Sequence, residues 1–306
     1  MLLAWVRGKE PCRCLAFILL MAGCAAFARA QEIPKAQGPV PRTIILPQKA
    51  VAGAPATLAV LDAAGRLLPG VAVELSDGQT VTTNSTGRAM FVVPRDPGTL
   101  VAKLSRQGIT ASSTVVPSEE LAAHTPPEGD SARVRVTSYP HVLAIHDRFT
   151  IQGAGFRGAA DLTRVFLDDQ PCLVVASSPI SLVVLPGPHL PIGAIALRVS
   201  VDGHDTGRIP VTAVLLEFSS PADVPNAGTR GKLILRVRGT TDRLAVEVRN
   251  GSPSIIQLPG GNMQRLGTSE GEENFAPVEL KFLTSGNYTI SARLISTDSG
   301  SPSGKN

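Results

Sequence analysis

The chain has 306 residues, of which 43% are hydrophobic, 18% charged and 4% aromatic, so it can bury folded cores and is not a charge-rich disordered polymer. Its formal charge of +4 is concentrated at the N-terminus, where Arg7, Lys9, Arg13 and Arg29 outnumber Glu10. Without residues 1–30 the charge falls to +1, which excludes a basic nucleic-acid-binding protein.

Residues 1–30 have the order of a signal peptide. A positive start is followed by an apolar run over residues 15–26, centred on Phe17, Ile18, Leu19 and Leu20. Ala28-Arg29-Ala30 then supplies small residues for cleavage, with Gln31 as the new N-terminus. The run is shorter than the about 20 residues of a spanning helix. A second processing route stays open. Met21-Ala22-Gly23-Cys24 resembles the lipobox of bacterial lipoproteins, which implies lipidation of Cys24. Either route predicts an exported protein (periplasmic, outer-membrane associated or extracellular) that meets the membrane only through a lipid anchor. Cleavage after Ala30 removes Cys12, Cys14 and Cys24 and leaves Cys172 alone. No intrachain disulfide is then available, and packed cores must hold the fold.

The remainder predicts an all-β chain of tandem immunoglobulin-like β-sandwiches, because short β-rich runs alternate with Gly, Pro, Asn, Asp and Ser. Residues 31–42 carry three prolines and form an extended spacer. The first sandwich is expected over 43–116, with strands at 57–61, 71–75, 80–83, 89–93 and 99–104. Asp77-Gly78 supplies a tight turn. Residues 61–73 and the segment Thr83-Asn84-Ser85-Thr86-Gly87-Arg88-Ala89-Met90-Phe91 resemble carboxypeptidase-regulatory-like and related bacterial Ig-like domains. That resemblance implies a spacer or stabilising module without peptidase chemistry.

A linker is expected over 117–132, then a second sandwich over 133–218, with strands at 149–156, 164–167, 172–176, 181–185 and 194–201. Ile151-Gln152-Gly153-Ala154-Gly155-Phe156 resembles the early strand of the IPT/TIG domain, an Ig-like fold. His146-Asp147 stands where that family often has two glycines, which alters a turn. Physically, Ile151 enters the core, the glycines permit an unusual turn, and Phe156 plugs the end of the sandwich. The third sandwich is expected over 219–296. Residues 232–237 and 243–248 alternate apolar with charged side chains, as a half-exposed hairpin would. Gly286-Asn287-Tyr288-Thr289-Ile290 resembles the tyrosine corner of Ig-like sandwiches, implying a hydroxyl bond to upstream backbone. Residues 297–306 form a Ser/Gly-rich disordered tail. The junctions between sandwiches are expected to be modest and mobile.

Catalytic chemistry is not expected. Gly267-Thr268-Ser269-Glu270-Gly271 fits a nucleophile elbow in letters only, since Glu272, Glu273, Asn274 and Pro277 follow in what reads as a polar loop rather than a helix. Histidines 124, 141, 146, 189 and 204 lack metal spacing. Asp168-Asp169 and Glu270, Glu272 and Glu273 lack the alternating oxygens of a calcium loop. Cys172 sits in an apolar strand and reads as a buried small hydrophobe. No catalytic residue, metal ligand or cofactor is therefore assigned. The expected function is a non-enzymatic structural or interaction module, an adhesion or envelope scaffold. Its partners would be other envelope proteins or extracellular polymers, not nucleic acid. The alternative is an extracytoplasmic ligand-binding protein for carbohydrate, although the mature chain has no tryptophan to serve as a sugar platform.

Overall fold

The computed structural model describes residues 41–104, 108–119, 134–219 and 226–295. Residues 1–40, with Ala30, Gln31 and Cys24, and the tail from 296 onward lie outside them. Apart from one 3-10 turn at Ala160–Leu162, the named elements are β-strands arranged as immunoglobulin-like sandwiches.

The first sandwich contains β1 (Pro41–Ile45), β2 (Lys49–Val51), β3 (Pro55–Asp62), β4 (Ala72–Leu75), β5 (Thr80–Thr82), β6 (Arg88–Val92), β7 (Gly98–Leu104) and β8 (Ile109–Val116). One sheet is β1-β3-β6 and the other is β2-β8-β7-β4-β5. Leu58, Val60, Val73 and Leu100 fill the space between them. In β4, Val73 and Leu75 point inward while Ala72 and Glu74 face solvent, as the period of two requires. The two segments read from sequence as a signature touch each other. Thr83 is buried, accepts a bond from the Val71 N–H at 2.9 Å and donates to the Leu68 carbonyl at 2.7 Å. Gly87 has φ +71°, and a Cβ there would lie 2.6 Å from the Leu67 Cβ. Thr83 and Gly87 thus clamp the loop over residues 67–71 to the strand that carries Phe91 into the core.

The second sandwich contains β9 (Arg135–Ser138), β10 (Val142–Ala144), β11 (Phe149–Ala154), β12 (Thr163–Leu167), β13 (Gln170–Ser177), β14 (Ser181–Leu185), β15 (Gly193–Val201), β16 (His204–Asp205) and β17 (Ile209–Ser219). β13 belongs to both sheets. Its first residues pair with β12 and its later ones with β14, with a bulge at Val175, where the extra residue bends the strand. Ile151, Leu167, Leu182 and Leu197 are fully buried between the sheets. Phe156 joins them at 4% exposure. Gly153 is required by space, because a Cβ would lie 2.0 Å from the Arg135 carbonyl oxygen and 2.7 Å from the Phe156 ring.

The third sandwich contains β18 (Arg230–Arg238), β19 (Ala245–Asn250), β20 (Ile256–Gln257), β21 (Met263–Gly267), β22 (Phe275–Phe282) and β23 (Ile290–Leu294). β18 and β19 do not form the expected hairpin. β18 pairs with β17 and β22, whereas β19 pairs with β21 and β23 in the opposite sheet. The chain arches between sheets instead, through Gly239 at φ +104°. The segment after Asn274 is also a strand rather than a polar loop. Pro277 sits in β22 opposite Ile234 of β18. On its other side β22 meets β20 only at Lys281 and Phe282, so the missing N–H faces an open edge. Tyr288 packs edge-on against Phe282, with ring centroids 5.6 Å apart. Burial alone raises its phenol, without the upstream backbone bond of a tyrosine corner among the described residues.

The junctions carry apolar and hydrogen-bonded contacts, more than the modest ones expected. Between the first two sandwiches, Ile45, Ala59 and Leu61 pack on Val175, Ala176 and Val183. Thr57 bridges to Ser177 in the ladder and donates to the Gly158 carbonyl at 2.6 Å. Ser178 donates to the Lys49 carbonyl at 2.6 Å. Buried Arg88 donates to the Val174 carbonyl at 3.0 Å and pairs with Asp161 at 2.6 Å. Between the second and third sandwiches the joint is one strand. β17 pairs with β15 through Ala213, then with β18 from Leu215 to Ser219. A boundary at 218/219 therefore falls inside a strand.

Candidate functional site

A cleft of about 690 Å³ opens where the three sandwiches meet. The first supplies Leu46 and Gln48, the second supplies residues from 138–152, and the third supplies Leu244, Ala245 and residues 293–295. Its position follows from the chain path. β9 ends at Ser138, and Tyr139-Pro140-His141 turns the backbone into β10. The His141 carbonyl accepts the Thr212 N–H at 2.8 Å, which pins this turn to β17. The Tyr139 and His141 rings meet edge to face, with centroids 4.9 Å apart and planes at 63°, a favoured aromatic geometry.

After β10 the Asp147 N–H bonds to the Ala144 carbonyl at 3.0 Å. The turn brings Asp147 and Arg148 to the cleft wall. Burial raises the Asp147 carboxyl above its ordinary value, and the charges of Arg148, Arg293 and His146 offset part of that shift. Burial likewise lowers Arg148. The cleft therefore offers a ring pair, one acid with a weakened preference for ionisation, and two guanidinium groups.

The residues weighed from sequence lie elsewhere or play structural parts. The Ser269 hydroxyl donates to the Glu273 carbonyl at 2.8 Å and accepts the Phe275 N–H at 2.9 Å. It caps a turn, and no histidine occurs in the third sandwich. His146, His189 and His204 are exposed, and His124 lies outside the described residues. Asp168 has φ 51° and accepts the Ala196 N–H at 2.8 Å, while Asp169 faces Arg208 at 3.7 Å. Glu270, Glu272 and Glu273 are exposed. Among the described residues no group of three His, Cys, Asp or Glu side chains could hold a metal ion. Burial pushes the Cys172 thiol up to about 11, so it is not a thiolate at neutral pH. Sequence reasoning missed Tyr139, Asp147, Arg148 and Arg293 as a group, because Arg293 joins the other three only through tertiary assembly. The one local signal was His146-Asp147 in place of two turn glycines.

No family model matches the chain, and no curated protein matches it. Among solved structures, it is similar to the Bacteroides ovatus mixed-linkage glucan utilization locus protein SGBP-B in complex with a mixed-linkage heptasaccharide. The identity there is 13%, with 85% of this chain and 76% of that one covered, at a TM-score of 0.26. It is also similar to domains 5-6 of the S-layer protein SbsC (14% identity, 57% and 98% covered, TM-score 0.22) and to titin domains A168-A170 (12% identity, 84% and 90% covered, TM-score 0.18). At such scores these superpositions carry no functional argument. The sandwich fold rests on the strand pairing and cores described above.

Proposed function

We propose that the protein is a non-enzymatic, exported scaffold that holds an interaction cleft in fixed geometry between three sandwiches. The observation that carries this reading is the pair of tight junctions around the cleft: its walls come from three sandwiches, so its shape depends on both joints being rigid. Residues 43–116 act as a carboxypeptidase-regulatory-like module, supported by the Thr83–Gly87 clamp. Residues 133–218 act as an IPT/TIG module, supported by the fit of Gly153 against Phe156. Partners are envelope proteins or extracellular polymers. Small-angle scattering of the mature protein tests the scaffold. A single rigid envelope is expected, and an ensemble of independently moving sandwiches would overturn the reading. N-terminal sequencing is expected to find Gln31 or a lipidated Cys24, and a product beginning at Met1 would refute export. A fluorophosphonate probe is expected to leave Ser269 unlabelled.

Ligand binding in the cleft is the second reading, favoured by the Tyr139–His141 ring pair on its wall. A saccharide ring has an apolar face that packs on aromatic rings and hydroxyls that bond to groups such as Asp147 and Arg148. Tyr139→Ala is expected to weaken glycan binding without changing the melting temperature. Unchanged binding would move the ligand out of the cleft.

A further inference from the structure

The outer face of the β21-β19-β23 sheet carries a charge arrangement that the scaffold does not use. Val246 and Val248 point into the core, so Ala245, Glu247 and Arg249 point outward. Glu247 stands directly opposite Arg265 on β21 and Arg293 on β23. Arg249 and Arg293 each approach its carboxylate at 2.7 Å and Arg265 at 3.9 Å. Glu247 is only 2% exposed, because the arginine stems cover it while their heads reach solvent. The three arginine side chains remain 51%, 72% and 53% exposed. Arg243 lies on the same face, 3.0 Å from the position a Cβ on Gly267 would take. Three cations thus meet one carboxylate, with Arg243 on the same face, and hydrogen bonds from Arg249 and Arg293 hold that carboxylate below its ordinary range. This face runs into the cleft, since Ala245, Arg293 and Ile295 line both.

We infer that this arginine face is a docking surface for an acidic, carboxylate-bearing polysaccharide. The inference rests on the reading that the partner is an extracellular polymer, and it specifies that polymer's chemistry. Charge complementarity carries it. Glu247 and, at the cleft end, Asp147 are outnumbered by the exposed arginines, and a guanidinium recognises carboxylates through paired N–H donors. Glu247 shows that the face already seats one such group. The backbones of Arg265 and Arg293 lie two strands apart, about 10 Å across the sheet, while their heads converge on Glu247, so one bound carboxylate can meet more than one guanidinium. Single-stranded nucleic acid fits less well. It needs aromatic platforms for its bases, and the outward positions here are Ala245, Met263, Gly267, Ser291 and Ile295.

The test uses the mature protein in affinity electrophoresis through gels containing polygalacturonate or neutral dextran. Retardation by polygalacturonate alone is expected, weakening about tenfold as added salt screens the arginines. The double variant Arg249→Ala, Arg265→Ala is expected to lose at least tenfold in affinity. Arg164→Ala, which removes an exposed charge from the second sandwich, is expected to lose none. Equal loss in both would show general charge attraction and overturn the inference, as would equal retardation by dextran or tighter binding of single-stranded DNA. Absence of any polygalacturonate binding by protein that scatters as a single rigid body would refute this surface while leaving the scaffold reading intact. Glu247→Gln provides a second variant. It keeps all four cations and is expected to retain or strengthen binding, whereas abolished binding in a folded Glu247→Gln protein would overturn the assignment.

Discussion

The two junctions join sandwiches by different physics. The first is built from side chains: an apolar patch around Leu61 and Val175, with Thr57, Arg88 and Ser178 bonding to backbone carbonyls across the joint. The second is built from backbone, with β17 passing from one sheet directly into the next. A side-chain joint can be weakened one residue at a time. A shared strand resists such editing, because its ladder bonds do not depend on residue type. The same molecule thus has one joint that substitution can tune and one that responds mainly to changes in backbone geometry.

Four measurements sharpen this contrast. The largest effect is expected from Phe156→Ala, which empties the core of the sandwich that supports both joints. Loss of a buried ring costs about 3–5 kcal/mol, and denaturant melts are expected to show both joints failing together. Arg88→Ala is aimed at the first joint. It removes a charge-assisted bond to the Val174 carbonyl and the pair with Asp161, and an expected loss of about 1.5–3 kcal/mol should accompany increased motion of the first sandwich by scattering. Gly239→Ala is aimed at the second joint. Its φ of +104° disfavours a side chain, and a Cβ would lie 2.5 Å from the Ala213 carbonyl oxygen. A cost of about 1–3 kcal/mol is expected in thermal melts, with the first sandwich undisturbed.

The smallest effect is the pH response, in which two carboxyls near the second joint act with opposite sign. Glu247 has a lowered folded pKa. Its stabilisation is fully present above its ordinary value of 4.5 and is lost as pH falls through the folded value. Asp147 is raised from 3.8, so the folded state binds its proton more readily. Its ionisation subtracts stability as pH rises from 3.8 through the raised value. Melts across this range are expected to show a shallower acid-side decline in Glu247→Gln, with the remainder from Asp62 and Asp205. In Asp147→Asn they are expected to gain slightly at neutral pH.

The sandwich class and many central strands were legible because alternation and turn residues are local properties. Residues 71–75 and 181–185 show this, as does the Asp77-Gly78 turn. The strands missed had reasons to hide. β8 reads Ile-Thr-Ala-Ser-Ser-Thr-Val-Val, and its inward Ser113 is 2% exposed although serine signals a loop. β22 alternates strictly between exposed and buried positions, yet Pro277 and the preceding acidic residues disguised it. The arch at Gly239 was read as a hairpin because alternation reports which face is buried and not which sheet receives the strand. The cleft was illegible for a stronger reason. Tyr139 and Arg293 share a wall only after two sandwiches have closed, and no window of sequence contains both. On the arginine face, the visible clue was Glu247 between two valines in a strand.

The shared strand also sets an order of events during folding. β10 pairs in parallel with residues 212–214 of β17, so the second sandwich stays incomplete until Val214 is free to dock. When β17 docks, it carries Leu215–Ser219 with it as a fixed edge beyond the finished sheet. β18 then pairs onto an existing template instead of searching for a partner, and the loop it must close is short. The third sandwich is in this sense templated by the second, and its assembly should proceed from the N-terminal side.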